Sequence, residues 1–254
     1  MRKIVFIFVY LFSFTIAITA QLVLGNPSGA SSNLDKQNNY LVGRQEFILA
    51  YNRSRGTANW VAWHLSSSDL GPIRIDAFHG DPLLPKPWRI GSAGYKGSGY
   101  QRGHMCPSKD RSTTEAINRI TFVMSNMQPQ LKELNEDTWG NLEDETRRLI
   151  NQGNEAYIYA GCFGNKGRIK KKVTIPTHCF KVVVILPEGS NDLKRITKDT
   201  SIIAVIMPNI RTINKNWRTY ITTVDAIESR TGFDFLSPIP NVLEKSLEKK
   251  KYAD

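Results

Sequence analysis

Two short segments hold the residue types from which phosphodiester chemistry can be built. Gly99-Tyr100-Gln101-Arg102-Gly103-His104-Met105-Cys106-Pro107-Ser108 sets a histidine beside a glycine and an arginine, ahead of a chain-turning proline. Asn135-Glu136-Asp137-Thr138-Trp139-Gly140-Asn141-Leu142-Glu143-Asp144-Glu145-Thr146-Arg147 sets an asparagine ahead of a predicted helix, with Glu143 and Arg147 on one face at i, i+4 spacing. A neutral imidazole can take a proton from water near neutral pH. An amide oxygen is a hard ligand suited to Mg²⁺, which keeps most of its waters and needs few protein groups. Arginines meet phosphate oxygens through paired hydrogen bonds. Each feature alone also has a plain structural reading: a hydrogen-bonded histidine, a surface ion pair, a capping asparagine.

These side chains need a scaffold, and the remaining sequence reads as one. Trp60–Leu65, Ala156–Ala160, Phe180–Leu186 and Ile202–Ile206 are dense in β-branched and aromatic residues and predict strands. Thr121–Met124 predicts a further strand. Trp139–Asn151 predicts a helix with Gly153 as its stop, and a second helix starts near Thr223 and ends at Gly232. Asp76–Gly99, with repeated Gly and Pro, predicts a long ordered loop. The result is an α+β domain with a mainly antiparallel central sheet flanked by helices. Gly25–Asn39 is rich in Gly, Ser, Asn and Pro, so 21–39 reads as a linker and 40–254 as one catalytic domain. The tail Glu244–Lys251 alternates charges and reads as a solvated helix end.

The two segments resemble the signature of the sugar-non-specific DNA/RNA endonucleases of the ββα-metal, or His-Me finger, superfamily. In that family the first reads Asp-Arg-Gly-His, then Met or a similar residue, then Pro one residue further on. The second reads Asn, Trp, then Leu-Glu and an Arg four residues after the Glu. Leu24–Ala30, Gly56–Trp63, Asp110–Thr114, Met124–Gln130 and Thr231–Leu236 are similar to its secreted cyanobacterial branch. The resemblance implies a ββα-metal active-site motif and cleavage of single- and double-stranded DNA and RNA, giving 5′-phosphate products. It implies His104 as the general base and Asn135 as the sole direct protein ligand of a catalytic divalent ion, Mg²⁺ with Mn²⁺ or another divalent ion as alternatives. By the same resemblance Glu143 holds the metal's water shell, Arg147 lies near the scissile phosphate, Arg102 is the arginine of the first motif and Arg74 a further phosphate-stabilising arginine. A proteinaceous nuclease inhibitor is a partner known for such enzymes. One position departs: the family's leading Asp is Gln101, which keeps a carbonyl beside the metal's waters but lacks the charge.

The charge agrees with a polyanionic partner. The 34 basic residues exceed the 23 acidic ones, for a formal charge of +11. Lys166, Arg168, Lys170, Lys171 and Lys172 form the densest basic run, readable either as a nucleic-acid-binding track or as a solvated loop between strands. Residues 1–20 have the layout of a secretory signal: Arg2 and Lys3, an apolar stretch from Ile4 to Ile18, and small Ala20. Cleavage implies export to a secreted or periplasmic location with no integral membrane association; the rival reading is an uncleaved anchor, which Leu22, Val23 and Leu24 could extend. Removing two basic residues leaves 32 against 23, or +9, on the exported part. Of Cys106, Cys162 and Cys179, the last two could pair beside their strands, or all three could be buried thiols. The readings of other classes are a catalytically impaired basic nucleic-acid-binding protein, with Gln101 as its lesion, and an adhesin for an anionic surface. The adhesin offers no reason for the His–Asn–Glu–Arg spacing.

Overall fold

The computed structural model describes residues 21–253. The predicted signal segment, 1–20, lies outside the described residues. In chain order the strands are β1 (Tyr40–Gly43), β2 (Ile48–Asn52), β3 (Thr57–Leu65), β4 (Gln101–His104), β5 (Met127–Gln130), β6 (Asn154–Phe163), β7 (Arg168–Ile169), β8 (Val173–Thr174), β9 (His178–Pro187) and β10 (Ser201–Pro208). The helices are α1 (Glu115–Ile120), α2 (Gly140–Ile150), α3 (Asp192–Arg195), α4 (Val224–Thr231) and α5 (Asn241–Glu248). Six strands form one antiparallel sheet in the order β1-β2-β3-β6-β9-β10, and β4-β5 and β7-β8 form separate antiparallel pairs. The expected α+β class with a mainly antiparallel sheet is what the chain adopts. Among the described residues no helix is long and apolar enough to cross a membrane.

The sheet is buried on both faces, which is why its strands read as near-continuous apolar runs. Alternation along β3 sends Val61 and Trp63 to one core and Trp60 and Ala62 to the other. The first core is closed by Met105, Trp139 and Leu142 beside α2, and the second by Val224, Ile227 and Leu247 on α4 and α5. Each such side chain contributes about 1.5–3 kcal/mol on full burial. Cys162 and Cys179 face each other across β6 and β9 and are disulfide-bonded, while Cys106 is a buried free thiol. Closing that 17-residue separation stabilises the fold by about 3 kcal/mol.

Three expectations need correction. Residues 21–39 are not a linker: Leu24 and Ala30 are buried in the second core, Trp60 Nε1 donates to Ser28 Oγ at 2.7 Å, and the Tyr159 hydroxyl donates to the Gly25 carbonyl at 2.8 Å. Small and polar residues there serve tight turns packed on the sheet. Thr121–Met124 is not a strand: the Thr121 amide and hydroxyl both donate to the Asn118 carbonyl, prolonging the turn that ends α1. Finally, the tail helix α5 is not simply solvated. Its charges alternate in sequence, yet Leu243 and Leu247 fall on one helical face and pack into the second core, with Leu247 and Glu248 buried.

Candidate active site

β4 presents Gln101, Arg102 and His104, and pairs with β5 through His104 opposite Met127 and Gln101 opposite Gln130. Gly103 is required between them, because a Cβ there would lie 1.8 Å from Gln130 Oε1. β5 leads into a π-helical stretch, Glu133–Trp139, that runs directly into α2. The order β4, β5, α2 is thus a ββα unit, and Asn135 is not ahead of the helix but inside its wide first turns. Buried amides fasten the unit. Asn126 accepts from the Cys106 amide and donates to the carbonyls of Cys106 and Thr121. Asn209, at the end of β10, donates to the Pro129 carbonyl and accepts from the Leu131 amide.

A groove of about 920 Å³ opens over this unit, lined among others by Arg74, Gln101, Arg102, His104, Asn135 and Glu136. A smaller recess of about 330 Å³ adjoins it, sharing Arg74, His104, Asn135 and Glu136 and adding Glu143 and Arg147. All six residues assigned a chemical role from the sequence, and Gln101 beside them, therefore converge on one place. The predicted basic track does not line it. Arg168 and Lys170, on the β7-β8 hairpin where Lys170 and Lys171 adopt positive φ, donate to the carbonyls of Ser54 and Ala93 outside it. Lys170 reaches the groove only through Ala93, one of its wall residues, and Lys172 stands exposed.

The His104 ring is partly buried between Phe122 and Phe78, at centroid distances of 4.8 and 5.6 Å. Its Nε2 is buried without a hydrogen-bond partner, which leaves Nδ1 as the nitrogen at the open side. Burial pushes its pKa down, and the Arg74 and Arg102 guanidinium groups push it further, from 6.5 to about 3. Arg102 stacks on Phe78 with its guanidinium carbon 3.7 Å from the ring centre, and Arg74 Nη1 donates to Ser108 Oγ at 3.1 Å. Asn135 Nδ2 donates to Gln101 Oε1 at 2.7 Å, while Gln101 Nε2 donates to Glu136. The Asn135 amide is thereby oriented, and among the described residues its Oδ1 accepts no hydrogen bond. With the Glu136 and Glu143 carboxylates this makes an all-oxygen donor set, which fits a hard divalent cation and not a thiol-seeking one.

Behind the groove lies a buried charge layer. Lys181 on β9 sits 3.4 Å from Glu143, with its ammonium 4.3 Å from the Trp139 ring centre. Arg147 donates to Asp110 at 2.7 Å and to Asp144 at 2.6 Å, and Asp110 also accepts from Trp63 Nε1 at 3.1 Å. Burial pushes Glu143 up and Lys181 down, and their attraction for each other opposes both shifts. Glu136, Asp110 and Lys181 received no role from the sequence reading. Lys181 had a visible signal: a lone cation in Phe180-Lys181-Val182-Val183-Val184, where a central strand admits charge only if it is paired.

The family model for DNA/RNA non-specific endonucleases matches residues 25–242. The chain is 47% identical to a nuclease of Nostoc sp. over 237 residues, covering 92% of this chain and 86% of that one. It is 30% identical to the mitochondrial nuclease of Saccharomyces cerevisiae, covering 83% and 69%. Human mitochondrial endonuclease G is 27% identical, with 81% and 71% covered. The fold matches the solved EndoG/EndoGI complex with a TM-score of 0.74 at 24% identity, over 93% of this chain and 98% of that one.

Two outcomes follow from the geometry alone. Lys181→Met leaves Glu143 buried without its cation and should cost about 3–5 kcal/mol in urea unfolding. Adding Glu143→Leu should recover most of that loss, and a single variant as stable as wild type would show the pair to be dispensable. The second concerns His104, whose depressed pKa keeps the imidazole neutral well below the usual histidine range. Its Cε1 proton resonance, assigned by comparison with His104→Gln, should stay unshifted from pH 8 to pH 5. A midpoint near 6.5 would contradict the placement of the two guanidinium groups.

Proposed function

The chain belongs to the family of DNA/RNA non-specific endonucleases and is a nucleic-acid-hydrolysing enzyme, and from that premise we propose a divalent-ion-dependent cleavage centred on His104 and Asn135. The observation that carries the proposal is their convergence in one groove: an imidazole kept neutral by burial and two cations, beside an amide whose NH₂ is held so that its oxygen is free. Asn135 Oδ1 would hold the ion, with Glu143 and Glu136 positioned to accept hydrogen bonds from its waters. Mg²⁺ is the expected ion, and Mn²⁺ another hard ion the oxygen donors suit. When bound, such an ion neutralises charge that builds on the phosphate and the leaving oxygen.

The protein's own residues do the rest. His104 Nδ1 takes the proton of a water aligned with the scissile bond, with the other ring nitrogen protonated and buried. Arg74 and Arg102 present guanidinium groups to phosphate oxygens, and Arg147, held by Asp110 and Asp144, adds positive charge at the recess. The products carry 5′-phosphate ends. Contacts made to phosphates fix position without reading sequence, which supports action on both DNA and RNA. Arg168, Lys170, Lys171 and Lys172 extend the positive surface beside the groove, and the binding they contribute weakens as salt rises. Export to the periplasm or medium is proposed from the layout of residues 2–20. A proteinaceous inhibitor is proposed as a partner because EndoG, on a similar fold, is solved in an inhibitory complex.

The test is a gel of plasmid and RNA incubated with the mature protein in Mg²⁺ or Mn²⁺ and then with EDTA. Cleavage should need the ion, and His104→Ala and Asn135→Ala should each lose at least 100-fold in rate while still binding nucleic acid. Near wild-type cleavage by His104→Ala would overturn the assignment; no cleavage by the wild type would favour the impaired binding protein. Gln101 provides a second test. It bridges Asn135 and Glu136 as acceptor and donor at once. Asp at that position cannot donate, and it adds negative charge beside the ion. Gln101→Asp should lower the Mg²⁺ concentration for half-maximal activity by about 10- to 100-fold, and superimposable metal curves would refute the idea.

A further inference from the structure

Five carboxylates gather on the face of the sheet opposite the groove, where the proposed reaction does not use them. Asp225 and Glu228 stand on α4, Glu244 and Glu248 on α5, and Asp234 on the segment between the helices. Oxygens of Asp225, Glu228 and Glu248 all lie within 4.8 Å of one another, and so do oxygens of Asp234, Glu244 and Glu248. Glu248 therefore belongs to both triads. Among the described residues none of the five forms an ion pair, although the chain as a whole carries +11.

Proximity of acidic groups alone would not mark a site. The second observation is Glu248 itself, which is only 6% exposed and whose Oε1 is buried without a hydrogen-bond partner. A buried carboxylate is expensive unless it is paired or coordinates a metal. Here the neighbours it faces are four more carboxylates. Glu228 has one partner, the Phe235 amide at 2.7 Å. Among the described residues no cation is paired with the cluster.

We propose that these five carboxylates bind one calcium ion, which ties α5 to α4. The chemistry favours calcium over other cations. Calcium accepts six to eight oxygens in irregular geometry at about 2.3–2.6 Å, so its ligands span about 4.6–5.2 Å across the ion. Oxygens within 4.8 Å of one another in each triad, with Glu248 shared between the two, suit that shell. Magnesium demands near-octahedral geometry and keeps several waters, and zinc prefers nitrogen and sulfur donors absent from this cluster. Calcium there would offset the repulsion and fix the helix whose Leu247 closes the second core.

The test starts from the Asn135→Ala protein stripped with EDTA, so that the ion site proposed for cleavage does not contribute. Calcium chloride should raise its Tm by roughly 5–10 °C at a concentration a hundredfold above Kd, and calorimetry should count one ion per chain. Adding Glu248→Gln should abolish the shift. In the otherwise wild-type chain Glu248→Gln should retain Mg²⁺-dependent cleavage, which separates this site from the groove. If Glu248→Gln fails to fold, Glu244→Gln and Asp234→Asn, nearer the surface, carry the same test. A Tm that ignores calcium, or a calcium shift that survives these substitutions, overturns the proposal.

Discussion

The layer of four charges between α2 and the sheet constrains everything at the groove. Lys181, Glu143, Asp110 and Arg147 have side chains only 2%, 15%, 3% and 12% exposed. Charges so far from water must be paired, and a partner lost is costlier than a pair never made. The arrangement Lys181–Glu143 and Arg147–Asp110 satisfies all four, and it fixes the rotation of α2 about its own axis. Trp139 continues the same face one turn earlier, covering the Lys181 ammonium. Asn135 follows at the same four-residue step. On a regular α-helix each such step overshoots the turn by about 40°. The wider π-helical turns over Glu133–Trp139 take up part of that drift, so that Asn135 reaches the groove while Glu143 and Arg147 stay against the sheet. The ion pairs thus set where the proposed metal ligand stands, some three turns away.

This dependence explains what could and could not be read from the sequence. Four of the six strands of the central sheet, β3, β6, β9 and β10, were legible because both faces are buried, leaving continuous β-branched and aromatic runs such as Phe180–Leu186; β1 and β2 were not read as strands. The helix carrying Glu143 and the cap and stop of α4 at Thr223 and Gly232 were legible from local chemistry alone. Asn135 was placed ahead of its helix because a π turn has no periodic signature in seven residues. Residues 21–39 look like a linker for a similar reason: turns packed on a sheet use the same Gly, Ser, Asn and Pro as loose chain. The motif residues that line the groove were legible as a set through their spacing. Their supports were not: Asp110, Asn126 and Asn209 reach the site from elements far apart in sequence, and although Lys181 stands out as a lone cation in a strand, only the tertiary fold shows what it pairs with.

Gln101 shows how one substitution is absorbed by its neighbours. An amide both accepts and donates, so it holds Asn135 with its oxygen and Glu136 with its nitrogen. A carboxylate could do only the first, and would stand beside Glu136 as a second negative charge. Geometry around Asn135 is therefore kept while the local charge is less negative than the family pattern provides. Orientation of the amide resides in hydrogen bonds, whereas affinity for the proposed ion would reside in charge, so the two are separable. That separation is why a changed motif residue is compatible with an intact site.

The basic residues divide along similar lines. Most of the surplus is a salt-screened field that raises the local concentration of a polyanion and needs no fixed geometry. Arg102 and Arg74 differ, because each is held: one by its stack on Phe78, the other by Ser108. A lysine has neither the planar face nor the fork that these contacts use. The two guanidinium groups also act on His104, keeping its imidazole neutral. A phosphate bound by them opposes that effect, since its negative charge favours protonation of the ring. Substrate binding and proton affinity are consequently coupled through the same two arginines. In the proposed cleavage the imidazole would therefore be a weaker base in the free protein than with a phosphate bound beside Arg74 and Arg102.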